Sequence, residues 1–156
     1  MDYALLTAQA EALTSTEDDA LANVANVCAL VADQVDQLNW VGVYLLRDGE
    51  LVLGPFIGKT ACTRIELGKG VCGTSAANRE TLIVANVHEF DGHIACDTAS
   101  ESELVIPLLA GDRLLGVFDI DSPVQGRFDQ RDAEGLAPTA ALLSAAIANN
   151  GRSLGL

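Results

Sequence analysis

WVGVYLLRDGELVLGPF, residues 40–56, is the stretch from which the fold is read. Two runs rich in valine, leucine and aromatics flank Arg47-Asp48-Gly49-Glu50. Asp-Gly suits a tight hairpin turn, whose central residues need positive φ. The stretch therefore predicts an antiparallel hairpin. Residues 103–109 and 114–120 repeat the pattern around Ala110-Gly111-Asp112-Arg113 and predict a second one. Between the hairpins, Gly54, Pro55 and Gly58 predict a loop, residues 64–66 and 81–84 short strands, and 86–100 a long loop. GKGVCGTSAANRE, residues 68–80, reads as a glycine-rich loop entering a short helix of small residues.

Helices are expected at both ends. STEDD, residues 15–19, predicts a helix start with a Ser or Thr cap and acids in the first turn. Leu21, Val24, Cys28, Val31, Val35 and Leu38 follow at alternating steps of three and four, one apolar stripe. Cys28 on that stripe is expected to be a small buried hydrophobe. A shorter helix is predicted over residues 3–13. Asp129 is expected to cap a last helix carrying Leu136, Ala140, Leu143 and Ile147, kinked or delayed by Pro138. The tail from Asn149 is expected to fray. The order helix, hairpin, crossover, hairpin, helix predicts an α+β fold: a central antiparallel sheet with flanking helices. One domain is expected over residues 1–156, with N-terminal helices about 3–37 and a core about 39–147.

The chain has 156 residues, 49% hydrophobic, and a formal net charge of −13. That charge argues against nucleic acid and against anionic membrane surfaces, which need basic patches. The first fifteen residues hold no Lys or Arg, so no secretory signal is expected. No apolar run approaches the roughly 18 residues of a membrane span. A cytoplasmic location follows as the expectation, and there cysteines favour catalysis, redox work or metal binding over structural bridges.

Cys62, Cys72 and Cys96 fall in loops or at loop edges among small and polar neighbours. A zinc site with His88 and His93 would use their H-x4-H spacing, but no cysteines are closely paired. Thiol redox chemistry, one cysteine attacking and a second resolving, suits mobile glycine-rich loops better. The segment GHIACDTASESE, residues 92–103, surrounds Cys96 with acids, which disfavour a thiolate. Those acids therefore read as serving a substrate. Asp119 and Asp121 share one strand face, with Phe118 and Ile120 on the other. Glu101 and Glu103 have the same spacing. Such a cluster suits an ammonium ligand and raises one carboxyl far enough to hold a proton. Trp40 and Tyr44 are either core or an aromatic wall for a ligand.

The runs GPFIGKTACTRI, GKGVCGTSA, VHEFDGHIACDTASESELVIPL, GVFDIDSP and RFDQRD together resemble the free methionine-(R)-sulfoxide reductases, small GAF-domain enzymes. The resemblance spans residues 39–135. It implies a GAF-like fold with a pocket under the loops, and reduction of the R epimer of free methionine sulfoxide. Carried over by residue, it implies Cys96 as nucleophile, Cys62 as resolving cysteine and Cys72 as a third, assisting thiol. It implies Glu103, Asp119 and Asp121 as substrate acids, and Trp40 and Tyr44 as pocket aromatics. A sulfenic acid, an intramolecular disulfide, a thioredoxin-like reductant and a homodimer follow from the same resemblance, with no cofactor and no metal. Asp91 departs from the family, which usually has Pro there. The alternatives are a non-enzymatic GAF module that binds a small molecule, and a thiol redox sensor.

Overall fold

The computed structural model describes residues 1–92 and 99–156. Helices α1 (Tyr3–Thr14) and α2 (Ala20–Gln34) precede strands β1 (Trp40–Arg47) and β2 (Glu50–Gly58). Then come β3 (Arg64–Glu66), helix α3 (Gly70–Asn78) and β4 (Leu82–Val84). Strands β5 (Ser102–Ala110) and β6 (Arg113–Ser122) lead to α4 (Gln130–Asn150). The strands form one antiparallel sheet in the order β3-β2-β1-β6-β5-β4. Both expected hairpins form, with β1 and β6 paired at the centre.

Alternation along the strands sends apolar residues to two cores. On one face Val41, Val43, Leu45, Leu104, Ile106, Phe118 and Ile120 pack against α1, α2 and α4. On the other, Trp40, Tyr44, Val105 and Val117 pack with Val71, Cys72 and Ala76 of α3. Phe118 and Ile120 thus lie opposite Asp119 and Asp121, as period two requires. Two bulges modify this register. One sits between Leu108 and Leu109 of β5, opposite Leu114 to Gly116, where a Cβ on Gly116 would lie 2.0 Å from the Tyr44 carbonyl oxygen. The other adds a residue to β2 opposite the Gly42–Tyr44 step. Gly54 and Pro55 therefore lie inside β2 rather than in a loop.

Four local expectations need correction. The cap of α2 is Asp19, whose side chain accepts from the Ala22 N–H, so the remaining acids of STEDD precede the helix. Leu21 is exposed, and Leu38 lies beyond the helix end yet packs on the core. Pro138 does not delay α4, because an Asp129–Asp132 capping box starts the helix at Gln130. Pro138 and Glu134 are both exposed, so water can reach the Glu134 carbonyl that the proline leaves without its donor. The tail is docked: residues Gly151–Leu154 form a 3-10 turn, Leu154 is buried, and Arg47 donates to its carbonyl. Cys28 is buried as expected, and burial pushes its thiol up to about 12.

Candidate active site

Strand register brings the acids together. Glu103 pairs with Asp121, which also pairs with Trp40, and Asp119 pairs with Gly42 and Val105. All lie toward one end of β1, β5 and β6. Helix α3 lays Cys72 on this patch, and Cys72, Glu103 and Asp119 each offer an atom within 4.8 Å of the others. The Cys72 thiol donates to Glu103 Oε1 at 3.7 Å. Gly73 lets α3 close on the end of β3, since a Cβ there would meet the Glu66 carbonyl at 2.3 Å.

Burial sets the protonation of the trio. Glu103 and Asp119 are only 7% and 6% exposed. Burial, then the charges of Asp119 and Asp121, hold the Glu103 carboxyl well above the usual range. Burial lifts Asp119 to about 6, against hydrogen bonds from Cys72, Glu103 and the Ile120 backbone. Burial and the same acids push the Cys72 thiol up. Asp119 Oδ1 is buried with no hydrogen-bond partner. By spacing the trio could close on a metal ion, but a metal needs its ligands deprotonated and this environment favours the protonated forms. Holding and passing protons is the chemistry it favours.

Aromatic rings close one side. Trp40 stacks on Phe56 with centroids 5.3 Å apart and on Tyr44 at 6.0 Å. Gly42 makes room, because a Cβ there would meet the Trp40 ring at 2.4 Å. Trp40 Nε1 donates to the Lys59 carbonyl, and the Tyr44 hydroxyl donates to the Cys62 carbonyl at 2.9 Å. The two aromatics are thus buried and also tied to the loop that carries Cys62. Cys62 is half-buried and disulfide-bonded, whereas Cys28 and Cys72 are free thiols.

The expected residues Trp40, Tyr44, Cys72, Glu103, Asp119 and Asp121 come together here. Cys96 and His93 lie outside the described residues. His88 does not join the trio; its Nε2 is 3.2 Å from Glu101 Oε2. Sequence reasoning missed Phe56, whose place on this face depends on the β2 bulge. The signal was Gly54-Pro55 directly before it, a pair that a regular strand interior disfavours. It also missed Asn39, whose backbone N–H donates to the Asp121 carbonyl and whose Nδ2 donates to Ser100 Oγ.

A GAF domain family model matches residues 22–148. The chain is 49% identical over 146 residues to the Escherichia coli free methionine-R-sulfoxide reductase, covering 94% of this chain and 88% of that one. It is 46% identical to the substrate complex of fRMsr from Staphylococcus aureus, covering 94% and 95% of the two chains with a TM-score of 0.88. The Neisseria meningitidis free methionine-R-sulfoxide reductase in complex with its substrate is 38% identical, with a TM-score of 0.91 over 97% of this chain and 91% of that one. The fold, the clustered acids and these likenesses agree: the chain belongs to the free methionine-R-sulfoxide reductase family of GAF-domain proteins.

Proposed function

We propose that the protein reduces free L-methionine (R)-sulfoxide to methionine. The observation that carries this reading is the buried Glu103–Asp119–Cys72 cluster, with carboxyls raised by burial and a bare Asp119 oxygen. A sulfoxide oxygen leaves only when protonated, and Glu103 is the proton donor. Asp119 and Asp121 receive the substrate ammonium, which a peptide-bound methionine sulfoxide lacks. Trp40, Tyr44 and Phe56 form the wall for its apolar end.

The cycle balances in three steps. The Cys96 sulfur attacks the protonated sulfoxide sulfur, an S–S bond forms as the S–O bond breaks, and the oxygen leaves as water; a water then attacks the Cys96 sulfur, the S–S bond breaks, methionine leaves, and Cys96 is left as a sulfenic acid. The substrate sulfur is reduced by two electrons and the cysteine sulfur is oxidised by two. The Cys62 thiol then attacks Cys96, water leaves, and a disulfide forms. A thioredoxin-like dithiol reduces it by exchange. The disulfide-bonded state of Cys62 fits the end of this half-cycle, and the elevated Cys72 thiol fits a neutral neighbour of Glu103 rather than an attacking thiolate. A homodimer is part of the same reading, and exposed Leu5 and Leu13 on α1 and Leu21 on α2 are apolar surface it could cover.

The test offers free and N-acetylated methionine sulfoxide with dithiothreitol and follows product by amino-acid analysis. The free compound is expected to be consumed over many turnovers and the N-acetyl compound to be spared. Consumption of neither overturns the proposal; equal consumption overturns the ammonium role.

A further inference from the structure

Strands β1, β5 and β6 carry the acidic cluster toward one end; their opposite ends carry arginines. Arg47 ends β1 and Arg113 begins β6. Seven residues separate Trp40 from Arg47, roughly 23 Å along an extended strand. The docked tail adds Arg152. Three of the chain's nine basic residues thus gather at one end of a molecule of net charge −13.

A cavity of about 290 Å³ opens there between the β5–β6 turn, the end of α4 and the tail. Arg113 and Arg152 line it, and Leu114, Leu115, Ile147 and Leu156 give it an apolar floor. Among the described residues the ion pairs are Arg64–Glu50, His88–Glu101 and Arg127–Asp132, so Arg47, Arg113 and Arg152 are in none. Asp48 and Asp112 sit in the adjoining hairpin turns, yet neither makes an ion pair with them. Arg47, at the end of β1, holds the tail beside the cavity; one nitrogen donates to the Leu154 carbonyl while Nε is buried without a partner. Arg113 and Arg152 are exposed, and they flank a hollow lined by both polar and apolar groups.

We infer that this cavity binds a small amphiphilic carboxylate, its head between Arg113 and Arg152 and its short aliphatic body on the leucine and isoleucine floor. Guanidinium and carboxylate match as planar two-point partners. The floor selects against a bare anion, and the two cations select against a neutral chain of the same length. This site is separate from the acidic cluster, which repels the same ligand.

The experiment titrates the full chain, labelled with 15N, with hexanoate, 1-hexanol and inorganic phosphate. The variant is Arg113→Gln with Arg152→Gln, both exposed; Arg47 is left intact because it holds the tail. Hexanoate is expected to shift the Leu114, Ala148 and Gly151 amides along a saturable curve, with affinity at least tenfold lower in the variant. Hexanol and phosphate are each expected to bind at least tenfold more weakly than hexanoate. Absence of saturable shifts, an unchanged affinity in the variant, or shifts confined to the Glu103 end would overturn the inference. Phosphate binding as well as hexanoate would overturn the aliphatic part. Dithiothreitol-supported turnover of the variant, expected to equal that of the wild type, keeps this result independent of the reductase reading.

Discussion

Asp119→Asn is expected to weaken the enzyme and stabilise the fold. Burial raises this carboxyl from an ordinary 3.8 to about 6. In the unfolded chain it ionises near 3.8, so above that pH the unfolded state sheds its proton first and folding is opposed. The opposition grows between pH 4 and 6 and is complete above 6. At about 1.36 kcal/mol per pH unit it is on the order of 3 kcal/mol at pH 8 and small at pH 4. Asparagine keeps the shape and removes the charge, but its amide N–H groups find no partner where Oδ1 has none, which offsets part of the gain. For a chain of this size each kcal/mol moves Tm by roughly 2–4 °C. The variant should therefore melt higher than the wild type at pH 8, by up to about 6–12 °C, with the gap closing toward pH 4. The assay is thermal unfolding followed by circular dichroism at both pH values, with dithiothreitol-supported turnover alongside. Turnover should fall as the ammonium loses a partner. A variant less stable at pH 8, or a gap that does not change with pH, would refute the reasoning.

Cys62→Ser should stop the cycle after the first step, giving a burst of about one methionine per chain and a trappable sulfenic acid without dithiothreitol; continued turnover without a thiol adduct would argue against Cys62 as resolver. Tyr44→Phe removes the hydroxyl that holds the Cys62 carbonyl, and should cost about 1 kcal/mol of stability and slow disulfide formation, read by quenched-flow thiol counting. Gly116→Ala forces a methyl to within 2.0 Å of the Tyr44 carbonyl oxygen, and denaturant unfolding should show a loss of about 2 kcal/mol or more as β6 parts from β1. Cys28→Ala should leave turnover unchanged, because its thiol is buried in the helical core away from the acids.

Much of the frame was legible because it depends on local periodicity. The Asp48-Gly49 turn fixed the first hairpin, and the i, i+2 spacing of Asp119 and Asp121 put both on the face away from Phe118. What was illegible depends on register and distant contacts. Nothing near Glu103 says that it will pair with Asp121 rather than a neighbour two residues away; the pairing follows from strand alignment and the bulge opposite Gly116. Phe56 reached the site only because β2 takes an extra residue, which turns its side chain to the site face. Asp19 rather than Ser15 caps α2 because Ser15 closes α1, its backbone N–H donating to the Glu11 carbonyl. The tail looked frayed because its anchor, Arg47, lies over a hundred residues away. The same holds for Tyr3, whose hydroxyl donates to Asp132 of α4.

The most direct test of the account follows each epimer of racemic free methionine sulfoxide by chiral amino-acid analysis, with dithiothreitol, for the wild type and for Cys96→Ser. The R epimer is expected to disappear over many turnovers, the S epimer to remain, and the variant to be inactive. Persistence of both epimers, or full activity in Cys96→Ser, would contradict it.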